Sequence, residues 1–352
     1  MARRGACPTL VMSGAPPTTP QAGVASAWPG PSPLHQLPHA LHASGAIWPE
    51  KNCYTDLWIG VLHGLALEPL AVMGASALVD FEGDQWTFFK PSHDLLRERH
   101  GLDVQELTIW RPLLDHALEH LAAGKLLSVE ADAFWLPDVA GTDYRQNHTK
   151  TTIVLVSVDA AAKRLVYFHN AGCFELTGDD FDGTFGLTPR PADAVALPLF
   201  AEFIRLDRTR QRPAAELHAL ARAELPGLLA RRPVHNPVQR FAERFLQELP
   251  ALREQGLPHY HAWAFAGTRQ MGSAFELTAR WIAWWSGDQR DEELSCAIAA
   301  FEQLSAQAKT FILKGARMVN SSRPAEPGAL FFDMASAWDE GWGALAAWQQ
   351  RQ

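Results

Sequence analysis

The run "TTIVLVSVD", Thr151 to Asp159, constrains this chain more than any other stretch. Successive side chains of a strand point to opposite faces, and here both sets are apolar, so both faces must be covered. The strand therefore belongs inside a sheet. The next residues, "AAAK", turn the chain into "RLVYFHN", Arg164 to Asn170, which predicts an antiparallel hairpin about Ala161. "LLSVEAD" (Leu126 to Asp132) reads as a further strand, and "LVDFEGDQWTFF" (Leu78 to Phe89) as two short strands around Gly83. Helical spacing appears at Trp58, Val61, Leu62 and Leu65, and in "DLLRERHG" and "TIWRPLLDHALEHLAAGK", each closed by a glycine.

From about Pro191 the pattern changes to helices: "ALPLFAEFIRLDRTR", "AAELHALARAELPGLLARR", "NPVQRFAERFLQELPALREQG", "SAFELTARWIAWWSG" and "EELSCAIAAFEQLSAQAKTFILKGARMV". The expected class is α+β: a helix-plus-antiparallel-sheet domain over residues 46–190, then a mostly helical domain over 191–352. Residues 1–45, rich in Pro, Ala and Ser, read as a flexible lead-in. The opening "MARRGACPTLVM" would suggest an export signal, but with the apolar run broken by Gly5, Pro8 and, just beyond, Gly14, none is expected; an over-long gene start would look the same.

The net charge of −8 and pI near 6.0 argue against a nucleic-acid binder and against attraction to an anionic membrane. No stretch approaches the ~20 apolar residues of a membrane-spanning helix. Four cysteines (Cys7, Cys53, Cys173, Cys296) stand apart with no CxxC pair, which indicates neither a zinc site nor a disulfide framework. Free thiols in a reducing cytoplasm are expected, with no cofactor and no metal.

Chemistry concentrates around Cys53. Asn52 is a natural N-cap, which puts Cys53 at the first helical position in "WPEKNCYTDLWIGVLHG". A helix start stabilises a thiolate, and its free N–H groups can hold an oxyanion. The competing reading is a small core hydrophobe. A cysteine nucleophile needs a base and an orienting group. His148 precedes the central strand and Asn170 ends the next one, 22 residues on. In a hairpin the start of the first strand lies beside the end of the second, so the two are expected to meet as a Cys–His–Asn triad. Alternatively, His148 caps a strand and Asn170 fills a turn. Two rivals are metal ligation by His169 and Cys173, and Cys173 as nucleophile.

The ordered blocks "NCY-TDL", "LALEPLAVMGASALVDFEGDQWTFF", "EADAFWLPDVAGTDYRQNHTKTTIVLVSVD" and "LVYFHNAGCFELTGDDF" resemble a papain-like domain, over about Trp48 to Asp180. They are similar to the N-terminal domain of the butirosin-biosynthesis aminoacyl transferase. A functionally uncharacterised bacterial family carries similar blocks, and peptidases that trim bacteriocin leaders are more distantly similar. The resemblance implies Cys53 as nucleophile, His148 as base and Asn170 as orienter, where the butirosin type tends to carry aspartate. The glutamine that papain-like enzymes place before the cysteine is missing among Trp48, Glu50 and Lys51. The oxyanion donors are then the Cys53 N–H and Asn52.

Asp80, Asp84, Trp86 and Tyr144, with Asp132, Asp138 and Arg145, are candidate pocket residues, and a carboxylate among them would suit an ammonium group; solvated turn charges are the alternative. Asp180 is read as a helix or turn cap. Arginines between Arg205 and Arg232 form either a docking face for an acidic carrier protein or a solvated helix face. The aromatics of His259 to Trp285 are read as core, with His259, His261, Arg269 and Glu276 facing a cleft.

The expected function is a cytoplasmic acyl or aminoacyl transferase. It would take its group from an acyl carrier protein or other thioester donor and pass it to a small-molecule amine or hydroxyl acceptor. A cysteine peptidase or amidase with the same triad, and a non-catalytic binding protein on the same fold, are the alternatives.

Overall fold

The apolar run is central. In the computed structural model, which describes residues 23–188, 200–288, 290–321 and 328–352, it forms strand β6 (Lys150–Asp159). The other strands in chain order are β1 (Val24–Ser26), β2 (Phe81–Glu82), β3 (Gln85–Trp86), β4 (Asp103–Glu106), β5 (Lys125–Asp132), β7 (Arg164–His169), β8 (Gly172–Thr177) and β9 (Ala201–Arg205). The main sheet is antiparallel at every pairing and ordered β4-β9-β5-β6-β7-β8, with β1 also on β6; β2 and β3 form a separate hairpin. The hairpin turns between Asp159 and Arg164 as expected, with Lys163 in the left-handed region at φ 48°.

Helices cover both faces. Helix α1 (Cys53–Gly64) lies on one, where a Cβ on Gly60 would sit 3.3 Å from the Phe168 ring. Phe168 pairs with Val154, Val154 with Ser128, and Ser128 with Glu202, so these share the α1 face. Tyr54 of α1 confirms it by donating its hydroxyl to Glu202 at 3.1 Å. Helix α3 (Leu113–Ala122) covers the opposite face, where His120 stacks on Phe203. By the same alternation Leu127, Leu155 and Tyr167 face that side. Two short helices, α2 (His93–Leu95), which continues as a π turn to His100, and α4 (Asp179–Thr184), close the edges.

The second region is helical: α5 (Ala214–Arg231), α6 (Pro237–Ala266), α7 (Thr268–Ser286), α8 (Glu292–Val319) and α9 (Gly328–Gln350). Helix α6 kinks at Gly256, whose φ of 80° only glycine adopts readily. Most of the aromatics expected to be core are core: Tyr260, Phe275, Trp281 and Trp285 are buried, whereas Trp263 and Trp284 are half-buried and Phe265 is 58% exposed. No helix among the described residues is long and apolar enough to cross a membrane.

Two expectations are corrected. Residues 1–45 are not a flexible lead-in throughout: β1 pairs Val24 to Ser26 with Asp159 to Ser157, Trp28 packs on Phe168, and Leu41 is buried. The physical reason is that β5 pairs with β6 only as far as Leu155, which leaves the last backbone groups of β6 open on that side. Such groups demand a partner, and backbone pairing leaves no signature in side-chain composition. Residues 1–22 of that segment lie outside the described residues.

"ALPLFAEFIRLDRTR" was expected to be a helix, yet Ala201–Arg205 is β9, inserted between β4 and β5. The need of β5 for a partner overrides local helical spacing. Residues 196–199 of that stretch, and the boundary expected near residue 190, lie outside the described residues. The sheet region thus reaches Arg205, and the helical region starts at α5.

A pH prediction follows from His100, buried at the end of the π turn with its Nε2 donating to the Glu68 carbonyl at 3.0 Å. Burial, aided by Arg99, lowers its pKa to about 4. A histidine free in the unfolded chain titrates near 6.5. The folded state therefore binds fewer protons, and this stabilisation is complete above about pH 6.5 and lost as pH falls through about 4. Thermal midpoints should drop across that interval, and His100→Gln should flatten part of the drop. Parallel curves for the two proteins would contradict this.

Candidate active site

The chain ahead of Cys53 is fixed before the helix begins. Glu276 of α7, 2% exposed, accepts the backbone N–H groups of Ile47 and Trp48, each at 2.8 Å. The Trp48 indole donates to Ser305 Oγ of α8 at 3.0 Å, and its ring fills the space a Cβ on Gly272 would occupy. Lys51 is 1% exposed and donates its ammonium to the carbonyls of Leu41 and Trp48. Burial lowers the Lys51 pKa, with Asp56 and Glu276 opposing the shift. Asp56 in turn accepts the Lys51 N–H at 2.7 Å and lies 3.0 Å from His42 Nε2. Ile47, Trp48 and Lys51 of this strap are each tied to another part of the fold.

Helix α1 then starts as the sequence predicts. Asn52 Oδ1 caps the Thr55 N–H at 2.9 Å, and its amide donates to the Phe89 carbonyl at 3.0 Å. Asn52 is thus committed to capping. Cys53 is the first helical residue, half-buried, and lines a cleft of about 1280 Å³. One wall is the β2–β3 hairpin, docked on α6 by Arg240, which bonds Asp80 and the Phe81 carbonyl, and by Phe241 against Phe81 and Trp86. The turn into α7 and the adjoining ends of β6 and β7 form the others.

The expected residues divide. Cys53, Asn52, Asp84, Trp86 and Asn170 line the cleft. Asp80 is outside the lining and is bound to Arg240; Tyr144 is also outside and donates to Asp180 at 3.0 Å. Asp180 also takes Arg145 at 2.5 Å, more than the simple cap expected. His148 is absent from the lining: its side chain is 68% exposed, with Nδ1 2.6 Å from Asp132 and the ring stacked on Phe134. His148 and Asn170 were expected side by side. The register instead pairs Val154 with Phe168, and two more residues at that register would bring Asn170 level with Thr152, four short of His148. His148 stands four residues too far back along the chain for the hairpin to align the two.

Sequence reasoning passed over a tighter group. His169, 1% exposed, has Nδ1 2.6 Å from Asp138 and Nε2 2.7 Å from the Thr151 hydroxyl. Asp138 also accepts the Tyr167 hydroxyl at 2.5 Å. The carboxylate can only accept, so Nδ1 carries the proton and Nε2 accepts from Thr151. Asp138, Thr151 and His169 all line the cleft. Alternation in β7 puts His169 with Tyr167, on the face away from α1. Asp138 lines the cleft as the sequence led one to expect of a pocket residue, but its pairing with His169 was not foreseen; the available signal was the spacing of Tyr167 and His169, two residues apart on one face of a strand, with that aspartate in "LPD".

The rivals lose support. Burial pushes the Cys173 thiol up to about 12, which disfavours the nucleophilic thiolate. No three His, Cys, Asp or Glu side chains among the described residues group to hold a metal. In the helical region, Arg269 faces the cleft as expected. Arg210 and Arg212, from the arginine-rich stretch, donate to the Glu98 carbonyl at 2.6 and 3.1 Å instead of standing free.

Glu276→Gln replaces a charged acceptor of two N–H groups by a neutral one with a single acceptor oxygen. It should lower unfolding stability by about 1–3 kcal/mol, read by urea denaturation; an unchanged midpoint would show that the strap does not depend on it.

Residues 37–206 match the DUF1839 N-terminal domain, and residues 214–347 match the DUF1839 C-terminal domain. No curated protein matches the chain. The two matches meet between β9 and α5, where the sheet region gives way to the helices, and together they span most of the sequence: the chain belongs to the DUF1839 family.

Proposed function

We propose that this protein is a cysteine-dependent acyltransferase in which Cys53 takes an acyl or aminoacyl group from a thioester and passes it to an amine or hydroxyl acceptor. The observation that carries the proposal is Cys53 at the first position of a capped helix, in a cleft that also holds a carboxylate-fixed histidine. A nucleophile-bearing helix packed on an antiparallel sheet is a papain-like arrangement, with His169, on the face away from α1, reaching the same cleft at the strand end. That supports the likeness to the butirosin-type acyltransferase domain.

His169 replaces His148 as the proposed base, and Asp138 replaces Asn170 as its orienter. The Thr151 hydroxyl, hydrogen-bonded to Nε2, passes the proton from the cleft to the ring. Cys53 sulfur attacks the donor carbonyl, and its proton travels to His169. The C–S bond of the donor breaks and the departing thiol takes that proton back. The acceptor then gives its proton to His169 as it attacks the Cys53 thioester, and the thiol is regenerated. The donor in this proposal is a carrier-bound or free thioester. With water as acceptor the same steps make the protein a hydrolase.

Intact mass after incubation with aminoacyl-thioester donors, free and carrier-loaded, should show an acyl adduct on the wild type and none on Cys53→Ala. His169→Gln should slow adduct formation by about 10²–10⁴, while His148→Gln leaves it within a few-fold. An unmodified wild type would overturn the transfer reading. The reverse ranking of the histidines would restore His148 as base.

A further inference from the structure

One side chain of the cleft is left with its chemistry unused. Arg269, on the first turn of α7, is four-fifths buried. Among the described residues its guanidinium has no hydrogen-bond partner. Its one ion pair is loose, 3.8 Å to Glu50, a side chain 62% exposed at the cleft mouth. The guanidinium carbon lies 3.5 Å from the centroid of the Phe265 ring. That stack covers one flat face and leaves the in-plane N–H fork to meet a ligand. Burial lowers the Arg269 pKa, against the opposing pull of Asp56, Glu50 and Cys53, so the cation is desolvated within electrostatic reach of the nucleophile. Asp56 is not free to serve it, being engaged by His42 and the Lys51 N–H.

A desolvated guanidinium without hydrogen bonds is poised for a carboxylate, which it binds through two parallel N–H bonds. A carboxylate beside it, loosely held and half in water, is poised for an ammonium group. We propose that Arg269 and Glu50 together bind a free α-amino-acid group, its carboxylate on Arg269 and its ammonium on Glu50. Joined to the Cys53 reading, on which this step rests, the pair narrows the substrate. An ordinary α-aminoacyl thioester has spent its carboxylate in the thioester bond and would leave Arg269 empty. An acyl group linked through a side-chain carbonyl, of γ-glutamyl or β-aspartyl type, keeps both charges for the pair and presents the other carbonyl to Cys53. The aromatic wall of Trp86, Phe241 and Trp263 is left for the remainder of the substrate.

Calorimetric titration of Cys53→Ala with three probes tests this: L-glutamine, L-glutamine α-amide, which lacks the carboxylate, and 4-carbamoylbutanoate, which lacks the amine. L-glutamine should bind about ten- to a hundredfold tighter than either analogue. Arg269→Gln, added to Cys53→Ala, should erase the preference over the α-amide, Arg269→Lys should restore part of it, and Glu50→Gln should erase the preference over 4-carbamoylbutanoate. Equal binding of the three probes, or of none, overturns the proposal whatever the variants do. Because the titration uses protein without the thiol, its failure leaves the acyl-adduct result standing, and a missing adduct leaves the titration standing.

Discussion

The carboxylate of Glu276 is the constraint on which the rest of the molecule turns. It lies on a helix of the C-terminal region, more than 220 residues from the two backbone N–H groups it accepts. A buried carboxylate is costly unless it is fully bonded, and the strap at Ile47 and Trp48 supplies the donors. In return the strap is held in one conformation, with Trp48 seated where Gly272 leaves room. The start of α1 follows directly from that seat, beside a hairpin wall that Arg240 and Phe241 hold on α6. The helical region is therefore part of the cleft, contributing Arg269, Phe265 and Trp263 to its lining.

Much of the sheet was legible because side-chain periodicity records burial. The hairpin from Thr151 to Asn170, the Gly83 turn and the cap at Asn52 were all readable from local pattern. What escaped was backbone demand. The strand at Val24–Ser26 and the strand at Ala201–Arg205 form because β6 and β5 have unpaired groups to satisfy, and a few residues carry too little pattern to reveal that.

The same distinction separates the site residues. Cys53 was found from its position at a helix start, a local signal. His148 was chosen because a hairpin brings strand ends together, but that argument is only as good as its register. The observed register and the bulge between Leu155 and Ser157 leave His148 on Asp132 outside the cleft. His169 was weighed only as a metal ligand, since its partner Asp138 lies 31 residues away in a loop whose path no periodicity encodes. Each of the two histidines has its own aspartate, and only the pair in the cleft is shielded from water.

The most direct measurement of the central claim, that Cys53 is a nucleophile and not a filler of space, is competitive alkylation. Limiting iodoacetamide at neutral pH, followed by peptide mass analysis, compares half-buried Cys53 with exposed Cys296 in the same molecule. The account predicts that Cys53 is modified first despite its lower exposure, because it stands at the open cleft, where the free N–H groups of the helix start can meet an incoming carbonyl. Modification of Cys296 ahead of Cys53, in the order of simple accessibility, would contradict it.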